Sequence, residues 1–219
     1  MMKPFTLPAL SIVMLSSCAT LTDSPKYQLS NGHYDFRQQG NKYTKVFVEV
    51  TDDSVKIYPS NGETISIIPS KDEFFRTKNF DLDVTTIGFR YRPATQNLPR
   101  QLNANFNGNL YFGYRIDRFQ IDFLETPAGI KKIHRHRAFT IGAFGGMGST
   151  FVSPWTTNNQ TTDEYDGFIL SRGFAAMAGI NNLTVGVALG WDYLTDRDQD
   201  VWIYQNKPWL GLMIGLNIN

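Results

Sequence analysis

Little in this chain could brace it covalently. Cys18 is the only cysteine among 219 residues, so no intramolecular disulfide can form and stability has to come from hydrogen-bonded sheet and its packing. Neither sign of charge is in excess: 21 basic and 20 acidic residues lack the basic field that nucleic acid would require of a partner. Past the N-terminus no run of roughly 18 apolar residues occurs, which excludes a spanning helix but not a wall of short alternating strands. Histidine is scarce as well. His33, His134 and His136 are all there is for general-base or metal chemistry.

What the chain does have is parity. In the final stretch from Lys207 to Asn219, Leu210, Leu212, Ile214, Leu216 and Ile218 fall on one side, and Trp209, Gly211, Met213, Gly215, Asn217 and Asn219 on the other. A period of two means a strand. A half-buried strand in water would carry charges on its outer face, yet none follows Lys207. Lipid outside and a tight polar interior within would suit such a strand.

The N-terminus predicts export. Lys3, a mostly apolar run from Phe5 to Leu15, and Ser16-Ser17 before the cysteine follow the plan of a signal peptide over residues 1–17. Leu15-Ser16-Ser17-Cys18 resembles the bacterial lipobox, which implies cleavage and acylation, palmitate included, at Cys18. Ala19 in place of Asp implies transport to the outer membrane. Residues 18–26 then read as a lipidated tether. Over 27–70 Val46, Val48 and Val50 alternate with polar neighbours, and Asn61-Gly62 is a hairpin signal, so a short β-meander facing the periplasm is expected there.

From residue 79 to 219 alternation recurs segment by segment. Ile87, Phe89 and Tyr91 oppose Gly88, Arg90 and Arg92; Leu110, Phe112 and Tyr114 oppose Asn109, Arg115 and Asp117; Val185, Val187 and Leu189 oppose Gly186, Ala188 and Gly190. The prediction is an all-β chain with a small antiparallel β-barrel of the outer-membrane type, about eight strands of which six are assignable. The apolar parity flips after Asp117 to Phe119 and Ile121, which points to a bulge or turn near Arg118. Long polar side chains inside, Arg90, Arg92, Arg115, Asp117 and Asp192, are expected to cross toward a glycine wall and pair there. Trp155, Trp191, Trp202, Trp209, Tyr193 and Tyr204 cluster near strand ends, where an interfacial girdle would sit. The long connections 153–166 and 195–206 would be the outward loops.

Several of these stretches together, Tyr204-Gln205-x-Lys207-Pro208-Trp209-x-Gly211, Gly215-Leu216-Asn217, Tyr114-Arg115-x-Asp117 and Glu164-Tyr165-Asp166-Gly167, resemble a group of Bacteroidetes outer-membrane lipoproteins with small β-barrels and no assigned activity. The resemblance implies a place in the outer membrane and brings no catalytic or ligand residues with it. The chain ends in Asn219 where barrels usually end in an aromatic.

Other motifs carry less. His134 and His136 share a strand face within the basic run Lys131 to Arg137, but zinc needs a third ligand, so a solvated basic rim against lipid phosphates is the expectation. Asp196-x-Asp198-x-Asp200 opens like a calcium loop, yet Val201 and Lys207 stand where glycine and a bidentate acid belong. Ser149, Ser153 and Ser171 sit in no nucleophile signature. No catalytic, metal or cofactor residues are therefore expected, and no enzyme. The expected role is a filled outer-membrane lipoprotein barrel, structural or binding through its loops, with lipid as partner and a protein or glycan partner of the loops left open. A small-solute pore, a lipid-modifying enzyme, and a periplasmic β-sandwich or lipocalin-like lipoprotein stay open beside it.

Overall fold

A computed structural model describes residues 28–37, 42–51, 54–60, 62, 65–67, 74–95, 98–127, 129–180 and 183–216. The signal peptide, Cys18 and the tether lie outside the described residues. The strands are β1 (Gly32–Arg37), β2 (Thr44–Val50), β3 (Val55–Pro59), β4 (Ile65–Ile67), β5 (Phe74–Arg92), β6 (Gln101–Asn103), β7 (Asn107–Thr126), β8 (Gly129–Val152), β9 (Tyr165–Ile180), β10 (Leu183–Leu194) and β11 (Pro208–Leu216). All pair antiparallel in one sheet. Six of them close on themselves in the order β5, β7, β8, β9, β10, β11, with β11 returning to β5.

The ring thus closes on six strands and not on about eight, because β1 to β4 join the sheet elsewhere: β1 pairs only with the first residues of β5, and β2, β3 and β4 follow outward from it. Stagger makes so small a ring possible. Met213 pairs with Ile87, and following the pairs once round through Gly186, Met177, Thr140 and Arg115 returns to Asn79, eight residues back along β5. A stagger of this kind tilts the strands, typically by about 35–45°, and widens the interior.

The sequence predicts one break in the parity, near Arg118, and the structure has its break elsewhere, at Gly88. Ile87 is buried along with Asp81, Asp83 and Thr85, not outward with Phe89. The register against β11 slips between Met213↔Ile87 and Leu212↔Phe89, leaving Gly88 as the extra residue of a β-bulge that turns Arg90 and Arg92 inward. Near Arg118, by contrast, there is no bulge or turn. β7 pairs with β8 without interruption from Asn107 to Thr126. What changes there is the chemistry of the two faces: inward Arg115 and Asp117 give way to inward Phe119 and Ile121, while outward Phe112 and Tyr114 give way to outward Arg118.

The inward apolar residues belong to a second core. Phe75, Phe119 and Ile121 pack with Tyr34, Val46, Val48, Val55 and Ile57, so the lower ends of β5 and β7 and the β1–β3 meander bury one apolar cluster beneath the ring. Short connections lie at this end: residues 127–128 between β7 and β8, and 181–182 between β9 and β10. Gly129, at φ 115°, closes the first of them in a conformation that suits glycine. Long connections lie at the other end. There Val152, Ile169 and Leu194 pack with Trp202 and Tyr204 of the loop between β10 and β11.

Outside the ring the arrangement is reversed. Phe80, Leu82 and Val84 on β5, Leu110 and Phe112 on β7, Phe139 and Ile141 on β8, Leu170 and Phe174 on β9, Val187 and Leu189 on β10, and Leu210 and Leu212 on β11 are all exposed. Every ring strand contributes to this belt.

Candidate functional site

The interior of the ring holds the chain's concentrated chemistry. Among the described residues, four buried carboxylates, Asp81, Asp83, Asp117 and Asp192, are met by three guanidiniums, Arg90, Arg92 and Arg115, and by the His136 imidazole. They form two groups separated along the ring.

In the upper group the Gly88 bulge sends Arg90 and Arg92 from β5 across the ring to β10. Arg92 Nη2 donates to Asp192 Oδ2 at 2.6 Å, and Arg90 Nη1 lies 3.8 Å from the same oxygen. Ser171 Oγ on β9 donates to Asp192 Oδ1 at 2.7 Å and accepts from Arg90 Nη2 at 3.3 Å. One carboxylate therefore answers two guanidiniums, and aromatic faces meet the remaining charge: Arg90 lies 5.2 Å from the Trp209 ring, Arg92 5.0 Å from Trp202 and 4.6 Å from Tyr204. Burial pushes the Tyr204 phenol above its ordinary pKa, and the neighbouring Arg92 opposes that rise.

In the lower group Arg115 Nε donates to Asp117 Oδ1 at 2.9 Å and Nη1 reaches Asp81 Oδ2 at 3.4 Å. His136 Nε2 lies 2.7 Å from Asp117 Oδ1, and its ring lies 4.9 Å from that of Phe119, where the polar interior meets the apolar core below. Between the groups Tyr111 shares a hydrogen bond with Thr140 at 3.0 Å. Asn107 replaces a missing strand: its side-chain amide accepts from Ile87 N at 2.7 Å and donates to Ile87 O at 2.8 Å, satisfying β5 at its bulge.

The five inward residues expected from parity are all buried, and they fall into these two groups: Arg90, Arg92 and Asp192 above, Arg115 and Asp117 below. Parity reading missed Asp81, Asp83 and His136. Phe80-Asp81-Leu82-Asp83-Val84 carries the alternation plainly, but the two acids share the parity of Ile87, Phe89 and Tyr91, so only the bulge at Gly88 lets Asp81 and Asp83 point inward while Phe89 and Tyr91 point out. The sequence predicts His136 on a solvated rim; it is instead inside, because Lys131, Arg135 and Arg137 take the outward parity of β8 and the histidines the inward one.

The aromatic girdle is corrected too. Trp155 and Tyr193 are exposed, but Trp209 is buried in the ring, and Trp202 and Tyr204 are buried over Arg92. Trp209 fits because its neighbours are small: a Cβ on Gly190 or Gly211 would collide with its indole. The loop acids are engaged in local structure. Asp196 accepts from Phe168 N at 2.7 Å, Asp198 accepts from Tyr165 Oη at 2.8 Å, and Arg197 pairs with Asp163. Among the described residues no three His, Cys, Asp or Glu side chains are grouped to hold a metal ion.

As chemistry, this interior is a set of buried charges paired with one another, in which Arg90 Nε and Arg92 Nε and Nη1 keep no hydrogen-bond partner, and Ser171 bonds a carboxylate and a guanidinium, not an imidazole. No family model matches the chain, and no curated protein and no solved structure gives a significant match.

Proposed function

We propose that the protein is an outer-membrane lipoprotein, held at Cys18, whose six-stranded ring crosses the bilayer as a filled barrel with β1 to β4 on the periplasmic side. Its role is then structural, or binding through loops 153–166 and 195–206, in keeping with the Bacteroidetes lipoprotein resemblance. One observation carries the reading: apolar side chains are exposed on all six ring strands while charges are buried inside. Leaving a Leu or Phe in water forgoes about 1.5–3 kcal/mol, and a belt of more than a dozen cannot be a water-facing surface at rest. A protein partner would have to encircle the ring to cover it. Lipid does so without design.

Strand length agrees. Even β11, with nine residues, meets the span of about 9–11 expected of a tilted strand. No helix among the described residues is long and apolar enough to cross, so strands would do the crossing. Six strands fall below the roughly eight with which single-chain spanning barrels begin. The narrow bore that results favours a plug over a pore, as do Trp202 and Tyr204 at one mouth and the Phe75, Phe119 and Ile121 core at the other.

The test is flotation of the full-length protein with phospholipid vesicles, combined with nitroxide labels at positions 187, 189, 210 and 212. Collisions with oxygen should exceed those with a water-soluble relaxer at all four. A chain that stays in the bottom fraction, with labels open to water, refutes the membrane reading and puts a periplasmic sandwich in its place.

A further inference from the structure

The charged ends of β7 and β8 are arranged against their own repulsion. Arg118 and Arg137 are direct cross-strand partners, Arg76 stands opposite Arg118 on its other side, and Gln120 opposes Arg135 in the next pair. Arg76 is answered by Asp35 at 2.9 Å. Arg118 and Arg137 are exposed, and neither has a hydrogen-bond or ion-pair partner among the described residues. Like charges placed directly opposite destabilise a sheet, so these two guanidiniums call for an anion from outside the chain. With Gln120, Arg135 and Phe74 they line a cleft of about 70 Å³.

Its position says which anion. The pairs next along the same outward face are Ile116 with Phe139 and Tyr114 with Ile141, and Phe80 lies across from Tyr114, which is the start of the exposed apolar belt. A ligand held here would have an anionic head on the guanidiniums and hydrocarbon against Phe139, Tyr114 and Phe80. Guanidinium forks match phosphate oxygens two at a time. We propose that Arg118 and Arg137, with Arg135 and Gln120 beside them, form a binding site for the phosphate of an anionic membrane phospholipid at the edge of the belt. The inference rests on the membrane reading above and adds a lipid specificity to it. It also fixes depth, since the rung of arginines then sits at the headgroups of the leaflet on the β1–β4 side.

The experiment uses full-length protein in mixed micelles offering phosphatidylglycerol and phosphatidylcholine in equal amounts, with retained lipid counted by native mass spectrometry. Each arginine near a membrane surface is worth about fivefold in affinity for anionic lipid, so the wild type should prefer phosphatidylglycerol by roughly 10- to 30-fold. R118Q/R137Q should lose that preference. R197Q, at the loop end, should keep it. R118K/R137K, which keeps the charges without the forks and serves if the glutamine variant fails to fold, should fall between. Equal preference in R118Q/R137Q and wild type overturns the site, as does a wild type with no preference. Stabilisation of lipid-free protein by inorganic phosphate as large as that by phosphatidylglycerol overturns the lipid assignment in favour of a free-anion site. Vesicle flotation separates the two levels: wild type that floats without arginine-dependent selectivity sinks only this inference, whereas wild type that does not float sinks the membrane reading beneath it.

Discussion

Replacing Asp192 by alanine removes the one carboxylate that answers both Arg90 and Arg92. Asp192 is 1% exposed, and the two arginines are each 2% exposed, so neither guanidinium can turn to water without opening the ring. Breaking a buried ion pair from one side costs about 3–5 kcal/mol, because the charge left behind is desolvated and unpaired. Ser171 also loses the acceptor 2.7 Å from its hydroxyl, worth about another 1 kcal/mol. Against a net stability of about 5–15 kcal/mol the change should be severe. Asp192→Asn keeps the shape and an acceptor for Ser171 but drops the charge, and should cost less. The informative variant is the pair D192A/R92M: Arg92 holds the shorter contact, 2.6 Å against 3.8 Å for Arg90, so removing it should restore about 1–2 kcal/mol relative to D192A alone. Urea unfolding in small vesicles, followed by the fluorescence of Trp202 and Trp209 beside the two arginines, measures all three. D192A within about 1 kcal/mol of wild type, or a double variant less stable than D192A by the full cost of R92M alone, would refute the buried network as described.

Val187, 66% exposed on β10, is a sharp site for the belt: Val187→Arg should cost about 2–4 kcal/mol in vesicles if it lies near the midplane, and a neutral result in the same urea titration would argue for water there. Gly190→Val drives a side chain into the Trp209 indole and should cost about 1–3 kcal/mol; an unchanged urea midpoint and unchanged tryptophan emission would mean the indole is not seated against that wall. The wild type should be silent in a planar bilayer, since both mouths are occupied, and a stable unitary conductance would promote the pore. Mass spectrometry of the mature N-terminus should find acylated Cys18, and an unmodified Cys18 or a start downstream of it would remove the anchor.

Over most of the ring the two faces of each strand are legible along the chain. Side-chain alternation is a local property of an extended backbone, so the outward Leu210, Leu212 and Val187, the inward Arg115 and Asp117, and the six long strands could all be read along the chain. It could not say how many strands a ring would need. That depends on the stagger at which β11 meets β5, a pairing between residues more than a hundred positions apart. Nor could parity separate a bulge from a change of surroundings. At Gly88 the backbone itself gains a residue, while at Arg118 it runs straight and the apolar residues move inward because the meander supplies a core for them. Which charges meet was also a matter of closure: Arg92 and Asp192 lie 100 residues apart and touch only because the strands that carry them face each other across the bore. The same holds for the tryptophans. Trp209 is an inward position by parity and an interfacial one by composition, and the glycines at 190 and 211, which leave a gap only when β10 and β11 are paired, decided between them.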